Sequence, residues 1–79
     1  MIIKFIEENL EKDIKKFELR DDIYARYLRF CKYYGTQALT RTKFGKKLDD
    51  LNIGIRHKRM KNYVLETGRQ GVKLLPCKY

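Results

Sequence analysis

Two consecutive helical stripes, parted only by Gly35 and a short connector, constrain this chain most. Ile23, Tyr24, Tyr27, Leu28, Cys31 and Tyr34 recur at helical spacing. Asp21-Asp22 offers an N-cap and a first-turn acid before them, and Gly35 suits the left-handed residue that closes a helix. A helix is therefore predicted from about Asp22 to Tyr34. Gly35-Thr36-Gln37-Ala38-Leu39 reads as the connector to a second stripe, Phe44, Leu48 and Leu51, whose helix is capped by Thr40 or Thr42 and ends near Leu51-Asn52. Two helices joined by about five residues make a helix–turn–helix arrangement. Gly45 costs that helix up to about 1 kcal/mol relative to alanine. Two readings of it stay open: close approach of another helix or a nucleic-acid backbone, or a tolerated surface glycine.

The flanking segments complete the element order. Ile2, Ile6 (or Phe5), Leu10 and Ile14 recur every four residues and predict a first helix over 2–14. Phe17-Glu18-Leu19-Arg20 alternates apolar and polar, as a short strand does. After Asn52 the pattern turns extended, with β-prone Tyr63-Val64-Leu65 and Val72-Lys73-Leu74-Leu75. Thr67-Gly68-Arg69-Gln70-Gly71 supplies turn chemistry, and Pro76 ends the last strand. A β-hairpin is expected over roughly 53–75, its tip a long loop at 60–69 or a tight turn at 67–70. Helix, short strand, helix, helix, hairpin is the order of an α+β winged helix, with three helices, a short strand and a C-terminal β-hairpin wing. The 79 residues suffice for one domain with a modest core. A start in mid-helix and an end on Cys77-Lys78-Tyr79 are expected to be cuts through a longer protein.

Charge points to a polyanion. The formal net charge is +9, but residues 1–25 hold five basic and seven acidic side chains, and residues 26–79 hold fourteen basic and three acidic. The surplus is thus confined to one part of the chain, which orients its potential. Arg26, Arg29 and Lys32 form a basic edge on the second helix. Arg41, Thr42, Lys43, Lys46 and Lys47 lie on the third, mostly off its apolar face. Arg56, Lys58, Arg59, Lys61 and Arg69 belong to the hairpin, and the last four are expected to crowd its tip. The five on the third helix and the five on the hairpin are the candidate DNA contacts. Most such contacts reach phosphates and carry no sequence information, and only Thr42, Lys43, Lys46 and Gln70 are candidates for base edges. Duplex or forked DNA is the expected partner, bound with strong salt dependence and little sequence discrimination.

Other function classes find little support. His57 is the sole histidine, no serine is present to partner it, and adjacent Asp49 and Asp50 would point about 100° apart on a helix. No Walker-type glycine-rich loop occurs. His57, Cys31 and Cys77 are too few and too scattered for a tetrahedral zinc site. No catalytic residue, metal or cofactor is therefore expected. Cys31 reads as a small core residue, and a reducing intracellular setting is expected. No apolar run of eighteen residues suggests a membrane span, and basic residues placed partly on a hairpin do not suit a membrane surface.

Four segments resemble one known domain. They are Phe5-Ile6-Glu7-Glu8, Ile23 to Cys31 with its Tyr24, Tyr27, Phe30 and Cys31, Thr42-Lys43-Phe44-Gly45-Lys46-Lys47-Leu48, and Gly71-Val72-Lys73-Leu74. Their order and spacing are similar to the C-terminal domain of viral and phage primase-helicases of the poxvirus nucleoside triphosphatase type. Phe30 stands where many relatives carry tryptophan. The resemblance implies a winged helix following a superfamily 3 helicase core on a hexamer, in the host cytoplasm if poxviral. It implies Lys43, Lys46 and Lys47 as DNA contacts and Phe44 and Leu48 as anchors. ATPase and primase activities would reside elsewhere on the parent protein. The expected partners are DNA, the other domains of the hexameric helicase, and viral replication proteins. The alternative is a protein-interaction winged helix that docks on a replication partner or on the helicase ring, for which exposed Phe5 and Tyr33 would speak. An RNA-binding module of similar shape is a third reading.

Overall fold

The computed structural model describes all residues, Met1–Tyr79. Its elements run α1 (Ile2–Asn9), β1 (Leu10–Leu19), α2 (Arg20–Tyr34), α3 (Arg41–Asp50), β2 (Ile55–Lys61) and β3 (Val64–Leu74). The strands form one antiparallel sheet in the order β1-β3-β2. The result is an α+β fold of three helices and a three-stranded sheet.

The core is aromatic. Phe5 is fully buried and meets Tyr27, Phe30 and Phe44 edge-on, at centroid distances of 5.4, 5.5 and 5.7 Å. Phe44 also stacks on Tyr27 at 4.3 Å. Ile23, Cys31, Leu48, Leu10 and Val72 complete the cluster. Such pairs add about 0.5–1.5 kcal/mol each beyond the area they bury, so a small chain gains much from four rings drawn from three helices. Burial of Cys31 agrees with the sequence reading, and both cysteines are free thiols.

Helices α2 and α3 form nearly where expected, but Leu28 of the expected stripe is exposed and Phe30, outside it, is fully buried. Asp21 and Asp22 sit in the first turn of α2, where they favour the helix dipole, although no side chain caps it. Gly35 closes α2 in the left-handed region at φ 67°. Thr40 is the residue that caps α3, accepting the Lys43 N–H at 3.3 Å. Two tyrosines fix the connector between the helices: the Tyr24 hydroxyl donates to the Leu39 carbonyl at 2.8 Å, and the Tyr27 hydroxyl accepts the Leu39 N–H at 3.0 Å. Leu51 caps the end of α3 and stays exposed, so Phe44 and Leu48 alone anchor it.

The first half of the chain departs from the expected pattern. Helix α1 ends at Asn9 instead of continuing to Ile14, and the short strand becomes the ten-residue β1. Asn9 supplies the cause. Its buried side-chain amide folds back and donates to the Phe5 carbonyl one turn earlier at 3.0 Å, while Leu10 turns extended. β1 then pairs with β3, and a bulge between Lys12 and Phe17 leaves Ile14 83 % exposed. The four-residue spacing of Leu10 and Ile14 therefore did not mark a buried stripe.

The hairpin also differs. Residues 67–71, expected as turn chemistry, lie within β3. Gly68 belongs there because β1 lies directly against it; a Cβ at that position would fall 2.2 Å from the Glu18 carbonyl oxygen and 2.6 Å from the Phe17 ring. The connection is a two-residue turn, Asn62-Tyr63, joining the Lys61–Val64 pair, with φ of 51° and 64°. The turn falls within the 60–69 window but is tight instead of a long loop, and the alternative at 67–70 is incorrect. Asparagine tolerates this left-handed geometry, but for a residue as bulky as tyrosine it costs about 1–2 kcal/mol.

Candidate nucleic-acid interface

Phe44 and Leu48 press one side of α3 into the core, and this decides where its other residues point. At 100° per residue, Thr42, Lys43 and Lys46 fall on the opposite side and Lys47 beside them. All four are exposed. Asp50 shares this face one turn after Lys46, so the cationic surface is confined to the first two turns. Arg41 falls on the flank, where it pairs with Asp21 and lies over the Tyr24 ring at 5.0 Å.

Strand alternation divides the hairpin residues between two faces. Arg56, Lys58 and Met60 lie on the face toward α3, with their cross-strand partners Arg69, Thr67 and Leu65. His57, Arg59 and Lys61 lie on the other. There Phe17 packs edge-on to His57 at 6.0 Å and beneath the Arg59 guanidinium at 4.0 Å. Arg59 is also paired with Glu66 at 3.0 Å. The expected single cluster at the tip is thus two rows back to back.

Arg69 stands apart from its expected place at the tip. It is one of two buried polar or charged residues, donating to the Ile53 carbonyl at 2.7 Å and pairing with Asp49. Asp49 also takes Arg56 at 2.8 Å. Three residues from α3, β2 and β3 therefore lock the hairpin to the helix. Arg69 first, then Arg56, hold the Asp49 carboxyl below the usual carboxylate range. The sequence shows Asp49 only as a neighbour of Asp50 too divergent for acid–base work, and its twenty-residue separation from Arg69 leaves no local signal of the pairing. The close approach at Gly45 is to this Arg56 guanidinium, 3.3 Å from where a Cβ would stand, and not to another helix.

A division by residue type follows. All seven arginines are engaged within the molecule. No lysine enters an ion pair. Of the ten candidate contacts, Arg41, Arg56, Arg59 and Arg69 have partners, whereas Lys43, Lys46, Lys47, Lys58 and Lys61 present their ammonium groups to solvent unpaired. The planar guanidinium fork suits fixed bidentate contacts, and the flexible ammonium suits mobile ones.

On the far side of the core the polar groups close on one another. Glu8 accepts from the Tyr34 and Tyr79 hydroxyls at 2.9 and 2.8 Å. These bonds, Tyr79 first, lower its pKa, and the same pairing pushes Tyr34 up to about 12. Asn9 donates to the Tyr79 hydroxyl at 2.7 Å, and Arg26 donates to the Leu75 carbonyl at 2.6 Å. Arg29 reaches Cys77, so the second helix's expected basic edge is largely consumed in holding the C-terminal segment.

No helix is long and apolar enough to cross a membrane. No curated protein and no solved structure matches the chain. The model of the family described as poxvirus D5 protein-like matches residues 1–70, which include the first three of the four motif segments and stop just before Gly71-Val72-Lys73-Leu74. The chain belongs to the poxvirus D5 protein-like family.

Proposed function

We propose that the chain is a winged-helix DNA-binding domain of a viral replication primase-helicase, with α3 as its recognition helix and the β2–β3 hairpin as its wing. One observation carries this reading: Lys43, Lys46 and Lys47 are exposed and unpaired on a helix whose other side is anchored by Phe44 and Leu48. Lys58 continues that surface on the hairpin face toward α3. A helix of this kind fits the major groove, and the neighbouring hairpin can reach a phosphate strand. Family membership supports the replication context. The domain would be a C-terminal part of a larger hexameric protein in the cytoplasm of the infected host. It would have no chemistry or cofactor of its own, and several copies would supply avidity.

Four free lysines at phosphates give a slope of log affinity against log salt of roughly −3 to −4. Lys46→Glu with Lys47→Glu is expected to weaken binding to duplex and forked DNA at least about tenfold at low salt, with circular dichroism unchanged. Unchanged affinity in a fluorescence-anisotropy titration would sink the proposal. The protein-docking alternative loses one of its supports, because Phe5 is wholly buried; Tyr33 is exposed but leans on Tyr34 and Tyr79.

A further inference from the structure

The tip of the hairpin carries a residue that the fold does not explain. Tyr63 is 99 % exposed at φ 64°, in a turn position that favours glycine, asparagine or aspartate. Its ring meets no other aromatic ring or cation, and its hydroxyl has no hydrogen-bond partner. The strained backbone therefore gains nothing inside the molecule from the side chain it presents. Strain of this kind, where nothing local repays it, points to use.

The surroundings narrow that use. Met60 and Leu65 form an exposed cross-strand pair one step behind the turn, and Val64 is exposed beside it. Lys61 directly precedes the turn and Lys58 stands three residues behind it on the other face, both without ion-pair partners, and the nearest acid along the hairpin, Glu66, is already taken by Arg59. A planar ring set among apolar side chains and free cations, with no free acid, matches a base with its adjoining phosphates. It does not match a cationic partner, and an apolar protein groove would leave the lysines unanswered. The extended strand carries the tip roughly 17 Å beyond Arg56, where the hairpin is locked to α3. A helix seated on duplex therefore leaves the tip free to meet a different part of the same substrate.

We propose that Tyr63 is a base-stacking residue. It engages an unpaired nucleobase at the junction of duplex and single strand, while Lys58 and Lys61 hold the flanking phosphates. This rests on the DNA-binding reading above. Stacking of a base on an aromatic side chain tolerates any sequence, and apolar wedges at base steps are an established mode of binding.

The test compares wild type, Tyr63→Gly and Tyr63→Phe on a blunt duplex and on a fork carrying 2-aminopurine at its first unpaired position. Wild type is expected to bind the fork at least about fivefold tighter than the duplex and to change the 2-aminopurine fluorescence. Tyr63→Gly is expected to lose both the preference and the fluorescence change, keep its duplex affinity, and unfold at a temperature no lower than wild type. Tyr63→Phe is expected to retain both. Equal fork binding and equal fluorescence change by Tyr63→Gly overturn the stacking role and leave duplex binding through α3 standing. Loss in Tyr63→Phe as large as in Tyr63→Gly also overturns it, in favour of a hydroxyl contact. Wild type that binds neither DNA overturns both this proposal and the function on which it rests.

Discussion

Helix α3 and the hairpin both carry cations, but they hold them by different means. α3 is seated by its own apolar residues, Phe44 and Leu48, and its lysines are free because the anchoring uses none of them. β2 has no buried residue at all, and the hairpin is held to the helix through ion pairs, Arg56 and Arg69 to Asp49. The difference teaches which charges a polyanion can use. A cation that positions an element already has its carboxylate, and taking it away loosens the element. A cation on an element anchored by apolar contacts costs the fold nothing when it turns to a ligand.

The largest effect should come from removing the apolar anchor. Phe44→Ala deletes a ring that touches Phe5, Tyr24 and Tyr27, and is expected to cost about 3–5 kcal/mol in denaturant unfolding. A cost under about 1 kcal/mol would show that α3 is held by something else. Next is the ionic anchor. Asp49→Ala strands the buried Arg69 guanidinium and frees Arg56, and is expected to cost about 2–3 kcal/mol. Hydrogen exchange should rise in β2 more than in α3, which separates the two modes of attachment. Equal loosening of both would break the comparison. The smallest effect is with pH. The folded Asp49 carboxyl titrates below its ordinary value of 3.8, so its contribution is fully present above about pH 4 and is lost as pH falls through the depressed value. Asp21, lowered first by its hydrogen bond with Arg41, acts in the same direction. Acid titration of stability is therefore expected to be flatter below pH 4 in Asp49→Asn than in wild type.

The legibility of each region follows from how local its causes are. α2 and α3 are written in spacings of three and four, a cap at Thr40 and a glycine at 35, all within one turn of what they govern. The boundary of α1 was misjudged because Leu10 continues a helical spacing while Asn9, the residue that ends the helix, depends on Tyr79 and Arg26 for its remaining bonds. The hairpin tip was misjudged because glycine marked the wrong place. Gly68 answers to the Glu18 carbonyl and Phe17 ring of another strand, and the true turn is built from Asn62 and a strained Tyr63.

The sequence by itself determined the α+β class, the two successive helices, most of the buried stripe of α2 and the concentration of positive charge after residue 25, because each is a property of neighbouring residues or of composition. The tertiary structure decided where α1 stops, where the hairpin turns and which cations remain available. Ion pairing joins residues far apart in the chain, so composition counts arginine and lysine alike. Only the folded arrangement shows that Asp21, Asp49 and Glu66 have taken arginines and left the lysines of α3 and the hairpin open.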